Sequence, residues 1–193
     1  QGRVVSDQEK SNTLIRVFAG LRAMGVDRVL SMPERSLLTR AAAKRFDGEL
    51  VTDYVEMPAA EHGGASTRAA KAMIEDGVEC IVTLGGDGTN RAVAKGSGSI
   101  PLVPVSTGTN NVFPAMREAT IAGLAAGLVA TGQVPVAEGS VRNKVLRVDI
   151  NGVQSDLALV DLCTSTALWI GSRALWKADG LDQLFLSFAE ADA

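Results

Sequence analysis

A chain of 193 residues with 46% hydrophobic content holds enough apolar material for one large domain or one and a half. Its 19 Lys and Arg against 22 Asp and Glu give a net charge of −3 with no basic block, which argues against a nucleic-acid partner. Apolar runs are far shorter than a membrane span, and one His with two Cys cannot supply a zinc site. The opening "QGRVVSDQEK" lacks the apolar core of a signal peptide. Cys80 and Cys163 sit in apolar strand-like runs, as buried free thiols do in a reducing compartment, so a cytoplasmic protein is expected.

From Asp7 to Met24, Leu14, Val17, Phe18, Leu21 and Met24 mark one helical face, stopped by Gly25. "DRVLSM" (27–32) reads as a strand, 34–46 as a helix stopped by Gly48, and "LVTDYVEM" (50–57) as a strand. A helix from Ala65 to Asp76 follows, closed by Gly77. "VECIVTL" (78–84) is almost continuously apolar, as in a parallel strand covered on both faces. Helical spacing resumes from Thr89 to Lys95. "IPLVPVS" (100–106) is a further strand, and its two prolines predict an edge or a bulge. Arg117 to Thr131 is an Ala-rich helix.

This alternation predicts a doubly wound parallel-sheet α/β domain over residues 1–135. From about 140 to 193 the pattern changes. Two alternating runs meet at Asn151-Gly152, the strongest short hairpin signal, and "DGLDQLFLSFAEADA" reads as a terminal helix. A hairpin alone is marginally stable, so this second, β-rich unit is expected to be incomplete.

The chemistry concentrates in "CIVTLGGDGTN" (80–90). A glycine loop between a buried strand and a helix places main-chain donors and a helix dipole where open α/β sheets bind ligands. Gly85, Gly86, Gly88 and Thr89 form a candidate phosphate cradle, with glycine allowing positive φ and close approach, and Thr89 as an N-cap. Asp87 fits two roles: a carboxylate serving phosphoryl transfer, as base or beside Mg²⁺, or a cap in a tight turn. A second polar loop, "VSTGTNNVFP" (105–114), also follows a strand and precedes a helix. If the two strands are neighbours, both loops open on one cleft. The P-loop and dinucleotide fingerprints both fail, since Arg91 stands where the latter needs its third glycine.

Gly85-Gly86-Asp87-Gly88-Thr89 after an apolar strand resembles the signature of the NAD kinase and diacylglycerol/sphingosine lipid kinase superfamily. The stretch "PVSTGTNNVFP" is similar to the lipid kinases' P-x-G-T-x-N-D, with Val112 where Asp is usual. "GGDGTNR", "STGTNNVFP" and "AGLAAG" together resemble the ATP-NAD kinase-like branch of acetoin catabolism protein X. The resemblance implies an α/β domain followed by an all-β domain, with the site in the cleft between them. It implies ATP or polyphosphate as donor, with Mg²⁺, and NAD as the favoured acceptor, converted to NADP. Asp87 then takes the proton of the ribose 2′-hydroxyl. The nucleotide-binding set is Gly85, Gly86, Gly88, Thr89 and Asn90 from the first loop and Thr107, Gly108, Thr109, Asn110 and Asn111 from the second. Metal-ligating residues are not expected.

Two departures stand out: the family's opening strand with its Asn-Pro-x-[SA]-G loop is not found, nor is the G-S-T-A-Y stretch of the NAD kinases. Two alternatives stay open: a lipid or small-polyol kinase of the same superfamily, and a non-catalytic nucleotide-binding regulator linked to acetoin catabolism. Partners are expected to be small-molecule nucleotides, with self-association through the β-rich unit. Arg91 has a choice between phosphate and a helix-face ion pair. His62 reads as a solvated helix-start residue, and Arg173 as a remoter phosphate contact.

Overall fold

The computed structural model describes residues 6–34, 36–57, 64–108 and 111–162. His62, Thr109, Asn110, Cys163, Arg173 and the expected terminal helix lie outside the described residues. The compact unit that holds all described residues is Gln1–Leu162.

Helix α1, Asp7–Ala23, opens with a capping box in which Ser6 and Glu9 bond each other's backbone. Strand β1 (Arg28–Ser31), helix α2 (Leu38–Ala43), a 3₁₀ turn (Lys44–Phe46), strand β2 (Val51–Tyr54) and helix α3 (Ala65–Glu75) follow. Strand β3 (Ile81–Leu84), helix α4 (Asp87–Ala94), strand β4 (Leu102–Val105), helix α5 (Ala119–Ala130) and a short helix α6 (Val136–Gly139) complete the α/β part. Gly25, Gly48 and Gly77 adopt positive φ after the helical segments they terminate, a conformation that favours glycine.

The fold is mixed α/β with parallel strands. Strand β1 pairs with β2, and β3 with β4, both in parallel. The expected single doubly wound sheet is not what forms among the described residues: these are two separate two-stranded sheets. A cavity of about 810 Å³ separates them, walled by β1 residues such as Val29 and Leu30 and β3 residues such as Val82 and Thr83.

Helices cover both faces of the β3–β4 pair. On one face Val17, Phe18 and Leu21 of α1 and Ala126 of α5 form a core against Val82 and Val103. On the other, Ala70 of α3 and Val93 of α4 pack with Ile81 and Leu102. Successive side chains of a strand point to opposite faces, so β3 is apolar at both parities. Phe18 meets Phe46 edge to face at 6.0 Å. Small residues let α1 and α5 approach closely: a Cβ at Gly123 would lie 2.2 Å from the Val17 carbonyl oxygen, and one at Gly20 2.4 Å from that of Thr120. This is the physical use of the Ala/Gly-rich composition.

Strand β4 is an edge, as its prolines predict. Ile81 and Gly85 donate to the carbonyls of Pro101 and Val105. Alternation therefore turns Pro104, which has no N–H, to the open side. The hairpin also forms as read: β5 (Leu146–Ile150) and β6 (Val153–Ala158) pair antiparallel across Asn151-Gly152. Both turn residues have positive φ, at 52° and 78°, as a type I′ turn requires. Cys80 is a free, half-buried thiol, and burial pushes its pKa up to about 11, which makes it a packing residue rather than a nucleophile.

Candidate functional site

Because β3 and β4 are parallel neighbours, the loops that follow them leave the same sheet edge. Their polar groups meet. The backbone N–H of Phe113 donates to Asp87 Oδ1 at 2.8 Å. The Val112 N–H lies 3.2 and 3.1 Å from Asp87 Oδ1 and Oδ2. In return, the Asp87 N–H makes a long 3.4 Å contact to Asn111 Oδ1. Asn111 is itself oriented by its Nδ2, which donates to Ser106 Oγ at 2.8 Å and to the Gly108 carbonyl at 3.3 Å. Ser106 Oγ also bonds the Gly108 carbonyl at 2.7 Å, so it organises the second loop from within.

Asp87 is the first residue of α4, with Gly86 as its N-cap. The helix starts two residues before the expected Thr89, so Thr89 is not the cap. A carboxylate in a first turn is favoured by the helix dipole, and here it also reaches across to the second loop. Asp87 remains half-buried. A carboxylate offers roughly four lone-pair positions, and the amides of Val112 and Phe113 take up three. One position, on Oδ2, is left for a further donor.

The glycines serve close approach rather than positive φ. None of Gly85, Gly86, Gly88 and Gly108 is among the positive-φ residues. A Cβ at Gly85 would sit 2.6 Å from Thr89 Cβ, and one at Gly86 2.5 Å from Asn111 Oδ1. Gly88 is exposed, and a Cβ there meets nothing within 4 Å. The Gly85 amide is committed to the Val105 carbonyl, while the amides of Thr89 and Asn90 bond the Gly86 carbonyl. Among the described residues, the amides of Gly86 and Gly88 make none of these turn bonds. Gly85, Gly86, Thr89 and Thr107 also line one end of the large cavity, while Asp87 is not in its wall.

Asn90 departs from its expected role. It is 0% exposed, its Oδ1 accepts from Thr83 Oγ1 at 2.6 Å, and its Nδ2 donates to the Gly86 carbonyl at 3.0 Å. Buried amides need such partners, and this one pins the glycine loop to β3 rather than facing a ligand. Of its two expected roles Arg91 takes the ion pair, with a carboxylate on β6. Its Nε donates to the Leu157 carbonyl at 2.6 Å and its guanidinium pairs with the Asp156 carboxylate, both on β6. Lys95 Nζ joins the same carboxylate at 2.5 Å. The Lys95 hydrogen bond is the main cause that holds the Asp156 carboxyl below its ordinary range, helped by the Leu157 amide and Arg91.

Ser106, Phe113, Lys95 and Asp156 were not singled out by the sequence, and Val112 only as a departure from the lipid kinases' Asp. Ser106 carried a signal, since a Ser two residues before a loop Gly is a common side-chain turn. The amides of Val112 and Phe113 carry none, because any residue supplies them.

The family resemblance implies Mg²⁺, so the donor set matters. No group of three or more His, Cys, Asp or Glu able to hold a metal occurs among the described residues. The Asp87 oxygens face the amides of Val112 and Phe113. These residues do not fit a resident metal site.

The ATP-NAD kinase N-terminal domain family matches residues 8–134, and the acetoin catabolism protein X C-terminal domain family matches residues 144–193. The chain is 43% identical over 196 residues to acetoin catabolism protein X of Cupriavidus necator, covering 96% of this chain and 55% of that relative. It thus spans about half the length of the curated relative it matches. No solved structure matches it. The parallel strand pair and its Gly-Gly-Asp-Gly-Thr loop fall within the first of these matches, and the chain belongs to the ATP-NAD kinase family, in its acetoin catabolism protein X branch.

Proposed function

We propose that the whole protein transfers a phosphoryl group from ATP or a polyphosphate to a hydroxyl, with the ribose 2′-hydroxyl of NAD as acceptor and NADP as product. The observation that carries this reading is the bridge from Asp87 to Val112 and Phe113, which joins the two strand-end loops at one sheet edge. The amides of Gly86 and Gly88 and the start of α4 meet the phosphates. Thr107, Gly108 and Asn111 flank them, and the family resemblance adds Thr109 and Asn110 to the nucleotide-binding set. The remaining lone pair of Asp87 faces the attacking hydroxyl and takes its proton as the new O–P bond forms and the donor's bridging oxygen leaves with its electron pair. Mg²⁺ carried by the donor's own phosphates would supply charge neutralisation. The setting is the cytoplasm, where these nucleotides are soluble substrates.

Two observations favour other acceptors or none. Val112, whose amide bonds Asp87, is 75% exposed, an apolar side chain suited to a lipid or other apolar alcohol. The three amide contacts on Asp87 also suit a carboxylate that only shapes the loop, as in a nucleotide-binding regulator linked to acetoin catabolism.

Full-length protein incubated with ATP, Mg²⁺ and NAD, and assayed with an NADP-specific dehydrogenase, separates these readings. The proposal expects NADP, lost by at least about 100-fold in Asp87→Asn. Turnover on diacylglycerol or a polyol but not on NAD moves the acceptor. Calorimetric ATP binding without turnover on any alcohol selects the regulator.

A further inference from the structure

Asp87, Arg91 and Lys95 are spaced four apart on and just beyond α4, which places them on one face of the helix. Two separate segments of chain grip them. Asp87 holds the amides of Val112 and Phe113, while Arg91 and Lys95 converge on Asp156 and the Leu157 carbonyl of β6. Helix α4 has only eight residues, about 12 Å of rigid rod. Its first turn is thereby tied to the second loop and its last turns to the hairpin. An isolated ion pair of this exposure contributes little, but here one carboxylate meets two cations while one of them also bonds a carbonyl. The hairpin is thus fixed along the helix face that begins with Asp87.

We propose that Asp156 is a positioning residue: through Arg91 and Lys95 it sets the tilt of α4, and so the hold of Asp87 on the second loop and the place of the acceptor beside it. The acceptor half of this inference rests on the proposed function; the coupling half does not. Asp156→Asn keeps the shape of the side chain and removes its charge. Asp156→Glu keeps the charge and lengthens the reach by one methylene. Lys95→Gln removes one arm of the cluster only.

Amide hydrogen exchange in full-length protein tests the coupling without any substrate. Asp156→Asn is expected to speed exchange at Leu157 and, together with it, at Val112 and Phe113 by about three- to tenfold, with Lys95→Gln giving a smaller rise at the same amides. Faster exchange at Leu157 with Val112 and Phe113 unchanged overturns the proposal, as does no change at any of them. Steady-state kinetics then read the acceptor half. Asp156→Asn is expected to raise the KM for NAD about three- to tenfold with kcat held, and Asp156→Glu to restore it. A fall in kcat and the KM for ATP alike, without rescue by Glu, overturns the acceptor half. A wild type that makes no NADP but shows the coupled exchange defeats the proposed function alone and leaves the positioning role standing.

Discussion

The carboxylate of Asp87 accepts the backbone N–H of Phe113 at 2.8 Å, across 26 residues of sequence. One side chain therefore fixes the distance between the two loops that leave β3 and β4. A proposed base that is also a strut has consequences for its substitution. Hydrogen bonds to a charged group contribute about 1.5–3 kcal/mol. Asp87→Ala is expected to destabilise the protein by about that amount in urea denaturation and to abolish turnover. Asp87→Asn retains a carbonyl oxygen for the amides and is expected to lose less than half as much stability while losing activity. Equal stability losses in the two variants would show that the carbonyl cannot replace the carboxylate as a strut.

Glycine substitutions in the first loop should separate by position. At Gly85 an added Cβ meets Thr89 Cβ at 2.6 Å, in the loop's own backbone-anchored turn, and Gly85→Ala is expected to cost about 1–3 kcal/mol. At Gly88, inside α4 and facing open space, Gly88→Ala is expected to be neutral or to stabilise by up to about 1 kcal/mol. The same methyl sits beside an amide proposed to meet a phosphate, so nucleotide affinity is expected to fall. Calorimetry and thermal unfolding on the pair of variants check both signs.

The α1–α5 crossing offers a test remote from the site. Gly123→Ala drives a methyl against the Val17 carbonyl oxygen, 2.2 Å from where its Cβ would lie, and neither backbone can yield alone. A loss of about 1–3 kcal/mol is expected. Ile121→Ala on the same helix, 63% exposed, should stay within about 0.5 kcal/mol. Paired denaturation curves decide it.

Acid should release the hairpin before it unfolds the core. The Asp156 carboxyl is held below its ordinary value of 3.8, with the Lys95 hydrogen bond as the first cause. A depressed carboxyl contributes its full stability above the unfolded value and loses it as the pH falls through the folded one. Amide exchange at Leu157 is therefore expected to be constant above about pH 5, after correction for intrinsic rates, and to accelerate as the pH falls below 3.8. Asp156→Asn should remove this acid-dependent step.

Much of the fold was legible because it is periodic. Leu14, Val17, Phe18 and Leu21 announced α1 by spacing, the apolar parity of "CIVTL" announced β3, and Asn151-Gly152 announced the hairpin turn. The loops could be placed on one edge only if β3 and β4 were neighbours, and they are. What periodicity cannot carry is partnership. Asn90 looked like a loop donor, but its neighbour in space is Thr83, one strand-to-helix turn away. Arg91 finds Asp156 across 65 residues, a pairing that no local pattern encodes. The strand pairing into separate two-stranded sheets is likewise set by tertiary spacing and not by the sequence of any one strand. The Gly-Gly run was read for φ freedom and for close approach of a ligand; the close approach that the structure shows is that of Thr89 and Asn111.

The central claim is that the two loops form a single nucleotide pocket. Titration of isotope-labelled full-length protein with Mg²⁺-ADP, followed at the amides of Gly86, Gly88, Gly108 and Asn111, tests it most directly. The account predicts that all four shift along one saturation curve with one Kd. Shifts confined to one loop, or two curves with separate Kd values, would contradict it.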